Sequence, residues 1–463
     1  MTGGRATADL VVRNATVCTP GGLREADVHV TEGVIVSLER GGGSGAEEVD
    51  AAGLLILPGG IDAHVHSRDP GFPHKEDFAT LTAAAAAGGI TTVVDMPNTV
   101  PAVENVAVFQ EKVEIASSRA RVDFALWGLL GSESRPEDVH GLLDAGSVGL
   151  KAFLGYAIRR SDRQVVYTPW QDDPELEAPA GSGAIARLAP DLARRGAPLA
   201  VHCEDPDILR SFARRSRTYA DLLASRPALA EAVAIASLGV ISQRTGLEVQ
   251  VVHLSSALGL AAAREARRAG ARIVLETCPQ YLWLSDEDAE RLRPIMKMYP
   301  PVRTGADRAA LIESLRAGLI DRVGSDHAPH SDGEKLGRSL DDALPGSPGV
   351  ETLYLSCLEL ARRQGDVGAA ARWVAEGPAR SLGLFPRKGA VEPGADADLL
   401  LVDPSAETVV WAAAMHSQQR HGCLEGQRFG FAVRSVYSRG ELVARDGEPV
   451  GRAGRGRLVR PER

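Results

Sequence analysis

The sequence predicts an α/β protein: a (β/α)8 barrel of the TIM type joined to a small β-sandwich built from both chain termini. Three observations carry this. Through the middle of the chain, eight short apolar strands alternate with Ala-rich helical stretches over roughly 270 residues, close to the usual barrel length of about 250. Both ends carry β-branched segments punctuated by turns and differ from the middle. The runner-up, a doubly wound open sheet, lacks its G-x-G-x-x-G after the first strand.

At the N-terminal end, LVVRNATVC and ADVHVTEGVIVSLE alternate β-branched positions and break at Asn-Ala, Gly-Gly and Glu-Gly. GGGSG at 41–45 is a flexible turn too short to link domains. The expected barrel strands are IDAHVHS (61–67), TTVVDM (91–96), VDFALWG (122–128), GLKAFLG (149–155), PLAVHCE (198–204), EVQVVHL (248–254), RIVLETC (272–278) and RVGSDHA (322–328). EDFATLTAAAAAGG and GLAAAREARRAGA read as helices between them. The β-rich character returns in ADLLLVDP, ETVVW and VRSVYSRGELVARDGEPV. The division expected is 1–55 with 390–463 as the sandwich, and 56–389 as the barrel.

With 463 residues and 44% hydrophobic content, the chain can bury a sizeable core. Its 52 basic and 61 acidic residues leave a net charge of −9 without basic runs, which argues against nucleic acid or an anionic membrane as partner. A small anionic substrate stays open, because one Arg in a cleft suffices for it. Cys18, Cys203, Cys278, Cys357 and Cys423 are odd in number and scattered. They imply no disulfide framework and fit a reducing, cytoplasmic setting. The first residues do not read as a signal peptide, and no run of about 18 apolar residues suggests a membrane span.

The chemistry gathers on histidines at expected strand ends. His64 and His66 form H-x-H at the end of the first strand, and residues i and i+2 of a strand point to the same side. His202 ends strand five, His253 ends strand six, and Asp326 lies near the end of strand eight. Barrel active sites are built at these ends. Four His and one Asp offer nitrogen and oxygen ligands suited to Zn2+ or a similar divalent ion. Any one of these histidines alone reads as a satisfied core residue; the ordered set over four strands does not. Lys151 lies inside apolar GLKAFLG. Either it snorkels out, or it is carboxylated by CO2 to a carbamate whose two oxygens bridge two metals, which needs a depressed ammonium pKa.

PGGIDAHVHSRDPG, GLKAFLGY, VHCEDPDIL, VVHLSSALGL, ETCPQYL, PPVR and GSDHAPH, in this order, resemble the cyclic amidohydrolases of the amidohydrolase superfamily. That group includes dihydroorotase, allantoinase and dihydropyrimidinase (hydantoinase). The resemblance spans residues 1–445 approximately and implies a barrel, a terminal sandwich and two Zn2+ ions per chain. It assigns His64, His66 and Asp326 to the first metal, His202 and His253 to the second, and carboxylated Lys151 to the bridge. It also implies that Asp326 takes a proton from the attacking water and returns it to the leaving nitrogen.

HVHSRDPG, HKEDF and DMPNT look most like dihydroorotase. That likeness implies a pocket for a substrate carboxylate made by Arg68, Asn98 and His330; a guanidinium fork suits such an anion. Arg68 paired with Asp69 or Glu76, and Asn98 as a turn residue after Pro97, are the plain alternatives. Two positions depart from the dihydroorotase pattern. Tyr299, in KMYPPVR, stands where an Asn usually contacts the ring, and Gln280 follows Cys278-Pro279 where a His is usual. Tyr156, in KAFLGY, resembles the hydantoinase Tyr that helps bind the oxyanion. The H-x-H loop of hydantoinases lacks the Arg, and allantoinases tend to lack it as well. The expected activity is therefore dihydroorotase, the reversible cyclisation of N-carbamoyl-aspartate to dihydroorotate in pyrimidine biosynthesis, or that of a close dihydroorotase-like amidohydrolase. The alternative is allantoinase or hydantoinase/dihydropyrimidinase. A third reading, a non-catalytic structural relative, usually goes with lost ligands, and all are present here. The expected partner is a small cyclic amide or ureide, within a homo-oligomer (dimer or tetramer).

Overall fold

The structure, a computed structural model, describes residues 8–167 and 173–462. Strands from both ends of the chain share one nine-stranded sheet. Its seam is Leu55–Pro58, which runs parallel to Ala8–Thr19 (Val17 beside Ile56) and antiparallel to Leu399–Asp403 (Leu57 beside Leu400). The period of two sorts this sheet's side chains to two faces. Ile56, Leu399 and Leu401 pack into a cluster with Leu10, Val12 and Val28. Leu57, Leu400 and Val402 face the main core of the molecule.

Eight strands follow the alternation expected from the sequence: β1 (Gly60–Val65), β2 (Ile90–Asp95), β3 (Asp123–Leu126), β4 (Leu150–Phe153), β5 (Leu199–His202), β6 (Val249–Val251), β7 (Ile273–Thr277) and β8 (Arg322–Val323). β1, β2 and β3 pair in parallel. So do β4, β5, β6, β7 and β8. The two sheets meet at both edges. Val148 N–H donates to Leu126 O at 3.0 Å, and Val65 bridges His327 in parallel. Nearly every residue of these strands is buried, which is why they read as apolar runs without alternation.

Helices cover the strands, and some start at capping side chains. Asp77 and Thr80 form a capping box at Phe78–Ala87, and Ser256 accepts from Gly259 N–H at Ala257–Arg268. The poly-Ala helix lets Gly88 approach the Glu351 backbone, where a Cβ would lie 2.4 Å from its carbonyl oxygen. All five cysteines are buried and free.

Several strands are shorter than the sequence suggests. The eighth, expected over 322–328, ends at Val323. Ser325 N–H turns to the Asp62 carboxylate, and Asp326 adopts φ 50°. The residues that carry the chemistry have left the ladder, so their side chains are free to converge.

Candidate metal centre and active site

β1 and its continuation bring His64 and His66 to one carboxylate. Their Nε2 atoms lie 3.4 and 3.2 Å from the same oxygen, Asp326 Oδ1. One ligand atom from each of the three lies within 4.8 Å of the others. From β5 and the end of β6, His202 Nδ1 faces His253 Nε2 at 2.9 Å. The His64 and His253 ring centroids are 5.3 Å apart, so the two groups adjoin. Lys151, from β4, is fully buried, and its amine has no hydrogen-bond partner among the described residues.

Outer partners orient the imidazoles. His64 Nδ1 lies 2.8 Å from Glu276 Oε1, and Arg322 Nε donates to the other oxygen of Glu276 at 2.7 Å. His202 Nε2 lies 2.7 Å from Glu204 Oε2, which also accepts from Arg226. His66 Nδ1 lies 2.7 Å from Asn98 Oδ1, so the amide expected to touch substrate contacts a histidine here. Such partners fix which ring nitrogen carries the proton and leave the other free to ligate.

Burial dominates the electrostatics. It pushes the His64, His66 and His253 imidazoles down, helped at His66 by Arg68 and at His253 by His202, and so favours the neutral form that binds metals. It also lowers the Lys151 ammonium to about 8, against the pull of Asp326 and Glu276. Burial raises Asp326, with His64 and Lys151 opposing. Burial would raise Glu276 as well, but Arg322 and His64 outweigh it and hold the carboxyl at about 2. Three residues of the region, Arg68, His253 and Asp326, sit at φ 62°, 44° and 50°. Left-handed backbone at a non-glycine costs on the order of 1–3 kcal/mol and persists where its surroundings over-determine it.

These groups open into a small cavity. Tyr156, Tyr167, Met298, Tyr299 and Gly346 complete its wall. Tyr156 stacks on Phe153 at 5.7 Å and lies 4.6 Å from the His202 ring. Burial raises its phenol well above the usual value, so it stays a donor. Tyr299 covers Arg226, whose guanidinium carbon is 3.4 Å from the ring centroid. Arg68 and His330 stand behind this wall. Arg68 donates to Tyr167 OH and Pro329 O, and His330 Nε2 lies 3.0 Å from Pro345 O. Gln280 is buried, its amide 3.4 Å from Ser325 O.

The donor set fits divalent cations: histidine nitrogens aimed at one another or at a shared carboxylate, beside a buried amine without a partner. Among the residues of this region, Glu204, Glu276, Arg226, Arg322 and Tyr167 were not anticipated. A carboxylate inside the apolar run RIVLETC was the available signal for Glu276.

The amidohydrolase family pattern matches residues 55–443. An allantoinase of Rubrobacter xylanophilus is 37% identical over 471 residues, covering 98% of each chain. A dihydroorotase of Methanothermobacter thermautotrophicus is 32% identical over 443 residues, covering 94% of each. The solved L-hydantoinase of Arthrobacter aurescens superposes with a TM-score of 0.90 at 29% identity, over 98% of this chain and 100% of that one. The chain belongs to the amidohydrolase family. Within that family it is a cyclic amidohydrolase. Allantoinases at 33–37% identity recur among the relatives, which weighs against dihydroorotase as the leading expectation and toward its alternative.

Proposed function

We propose that the protein is a metal-dependent hydrolase that opens the ring amide of a small cyclic ureide of the allantoin or hydantoin type. The observation that carries this is the convergence of His64, His66, His202, His253 and Asp326 beside the unpartnered amine of Lys151. His64, His66 and Asp326 would hold one Zn2+, and His202 and His253 a second. Lys151 would supply a further anionic ligand as a carbamate: its neutral amine forms an N–C bond to CO2 and releases a proton, which the lowered ammonium value favours. Bound divalent ions polarise a carbonyl and acidify water. Asp326 takes the proton of the attacking water and delivers it to the ring nitrogen as the amide bond breaks. Tyr156 donates its hydroxyl to the developing oxyanion.

The same reading takes the two parallel sheets as one (β/α)8 barrel over 56–389. The Val65–His327 bridge and the Val148–Leu126 bond support closure. The terminal sheet, 1–55 with 390–463, forms the second unit, a sandwich.

The relatives' names and the recessed position of Arg68 behind Tyr167 favour an uncharged ring. A second reading, a dihydroorotase-type ring bearing a carboxylate, is favoured by one observation: among the described residues, the hydrogen-bond partners of the buried Arg68 guanidinium are the neutral Pro329 O, Tyr167 hydroxyl and His330. Rates for allantoin, hydantoin, dihydrouracil and dihydroorotate on the zinc-loaded enzyme separate the two. Fastest turnover of dihydroorotate would replace the first reading by the second.

A further inference from the structure

Two histidines of the site are each backed by a buried carboxylate, and each carboxylate by a buried arginine. In the first chain, His64 Nδ1 meets Glu276 at 2.8 Å and Arg322 meets the other oxygen of Glu276. In the second, His202 Nε2 meets Glu204 at 2.7 Å and Arg226 binds the same Glu204 oxygen. The chains use opposite ring nitrogens. A carboxylate held by a guanidinium only accepts, so the imidazole nitrogen facing it carries the proton. The lone pair is then left on Nε2 of His64, toward Asp326, and on Nδ1 of His202, toward His253. His253 has no such support among the described residues, where its Nδ1 lacks a partner. In the His202–His253 pair, orientation rests on His202.

The two arginines differ in their surroundings. Arg322 is fully enclosed and donates to Ser381 Oγ as well. Arg226 lies under the ring of Tyr299, which lines the cavity. No substitution of histidine or carboxylate is needed to disturb the second chain; removing the arginine leaves Glu204 buried without its cation.

We propose that Arg226 is a positioning residue that acts through Glu204 to hold the His202 proton on Nε2, and so sets the affinity of the His202–His253 pair for a divalent cation. This rests on the reading of those histidines as cation ligands.

Zinc content by elemental analysis and zinc affinity by competition with a chromophoric chelator test it on the full chain. In Arg226→Met, one of two zinc ions should weaken by about 10–100-fold, the usual effect of losing an outer-sphere partner, while the other is held as before. Arg226→Lys should recover most of the loss. The double variant Arg226→Met/Glu204→Gln removes both buried charges, guards against misfolding, and should show the same selective loss. Wild-type affinity for both ions in Arg226→Met and in the double variant overturns the proposal, and so does an equal loss of both. A wild-type chain that binds no zinc overturns the ligand reading together with this one.

Discussion

Arg68 Nη1 donates to the hydroxyl of Tyr167 at 3.2 Å, and through that hydroxyl a buried guanidinium reaches the cavity. Both acids that the sequence offers as salt-bridge partners are engaged elsewhere. Asp69 pairs with Arg119, and Glu76 faces His327 at 3.3 Å and accepts from Thr80. Among the described residues the cation bonds to Pro329 O, Tyr167 and His330.

Arg68→Met therefore reports on substrate charge. For a ring carrying a carboxylate, losing the charged partner should cost about 2–5 kcal/mol, roughly 30-fold to several thousand-fold in kcat/KM. For allantoin or hydantoin the loss should stay under about tenfold, or 1.4 kcal/mol. Steady-state kinetics on both ring types checks this, and equal losses on both would remove any role for Arg68 in reading an anion.

Asp326 touches both His64 and His66 and sits in strained backbone three residues beyond the eighth strand. Asp326→Ala should lower kcat by about 10²–10⁴-fold, the usual worth of a general base, with an unchanged circular dichroism spectrum. Retention of more than about a tenth of the rate would contradict the proton-transfer role.

Lys151 should carry a carbamate when the metals are bound. Its amine is fully buried, unpartnered and shifted down to about 8. Lys151→Ala should lose zinc and turnover together, and short carboxylic acids should restore part of both. Labelling with 13C-bicarbonate and a carbonyl resonance that disappears in the variant would establish it. A plain amine in electron density at full metal occupancy would sink it.

Glu359, on the helix Leu353–Arg363, joins that helix to the C-terminal sheet region. It accepts from Arg362, Arg363 and the Gly430 N–H. Burial pushes its carboxyl up, but these bonds outweigh it and hold the group at about 2, against 4.5 ordinarily. A folded-state value below the unfolded one gives stability that is present above pH 4.5 and lost as pH falls toward 2. Glu359→Gln should cost about 1.5–3 kcal/mol near neutral pH, the range for hydrogen bonds to a charged group. In denaturant titrations the gap between wild type and variant should close at acid pH; a pH-independent gap would contradict the charged latch.

What the sequence determined is whatever local periodicity encodes. Strand–helix alternation places eight parallel strands, and the period of two puts His64 and His66 on one side. His202, His253 and Lys151 were legible because each is a polar residue set in or at the end of an apolar run. The tertiary structure alone decided what lies behind them. Glu276 reaches His64 across 212 positions, Arg322 reaches Glu276 across 46, and Arg226 reaches Glu204 across 22. It also set Tyr167 in front of Arg68, and Leu57 beside Leu400 in a sheet shared by both ends of the chain. Such contacts depend on strand order and on register between neighbouring strands. Neither is contained in the pattern of any one strand, because a one-residue slip in register leaves the local sequence unchanged and turns every side chain to the opposite face.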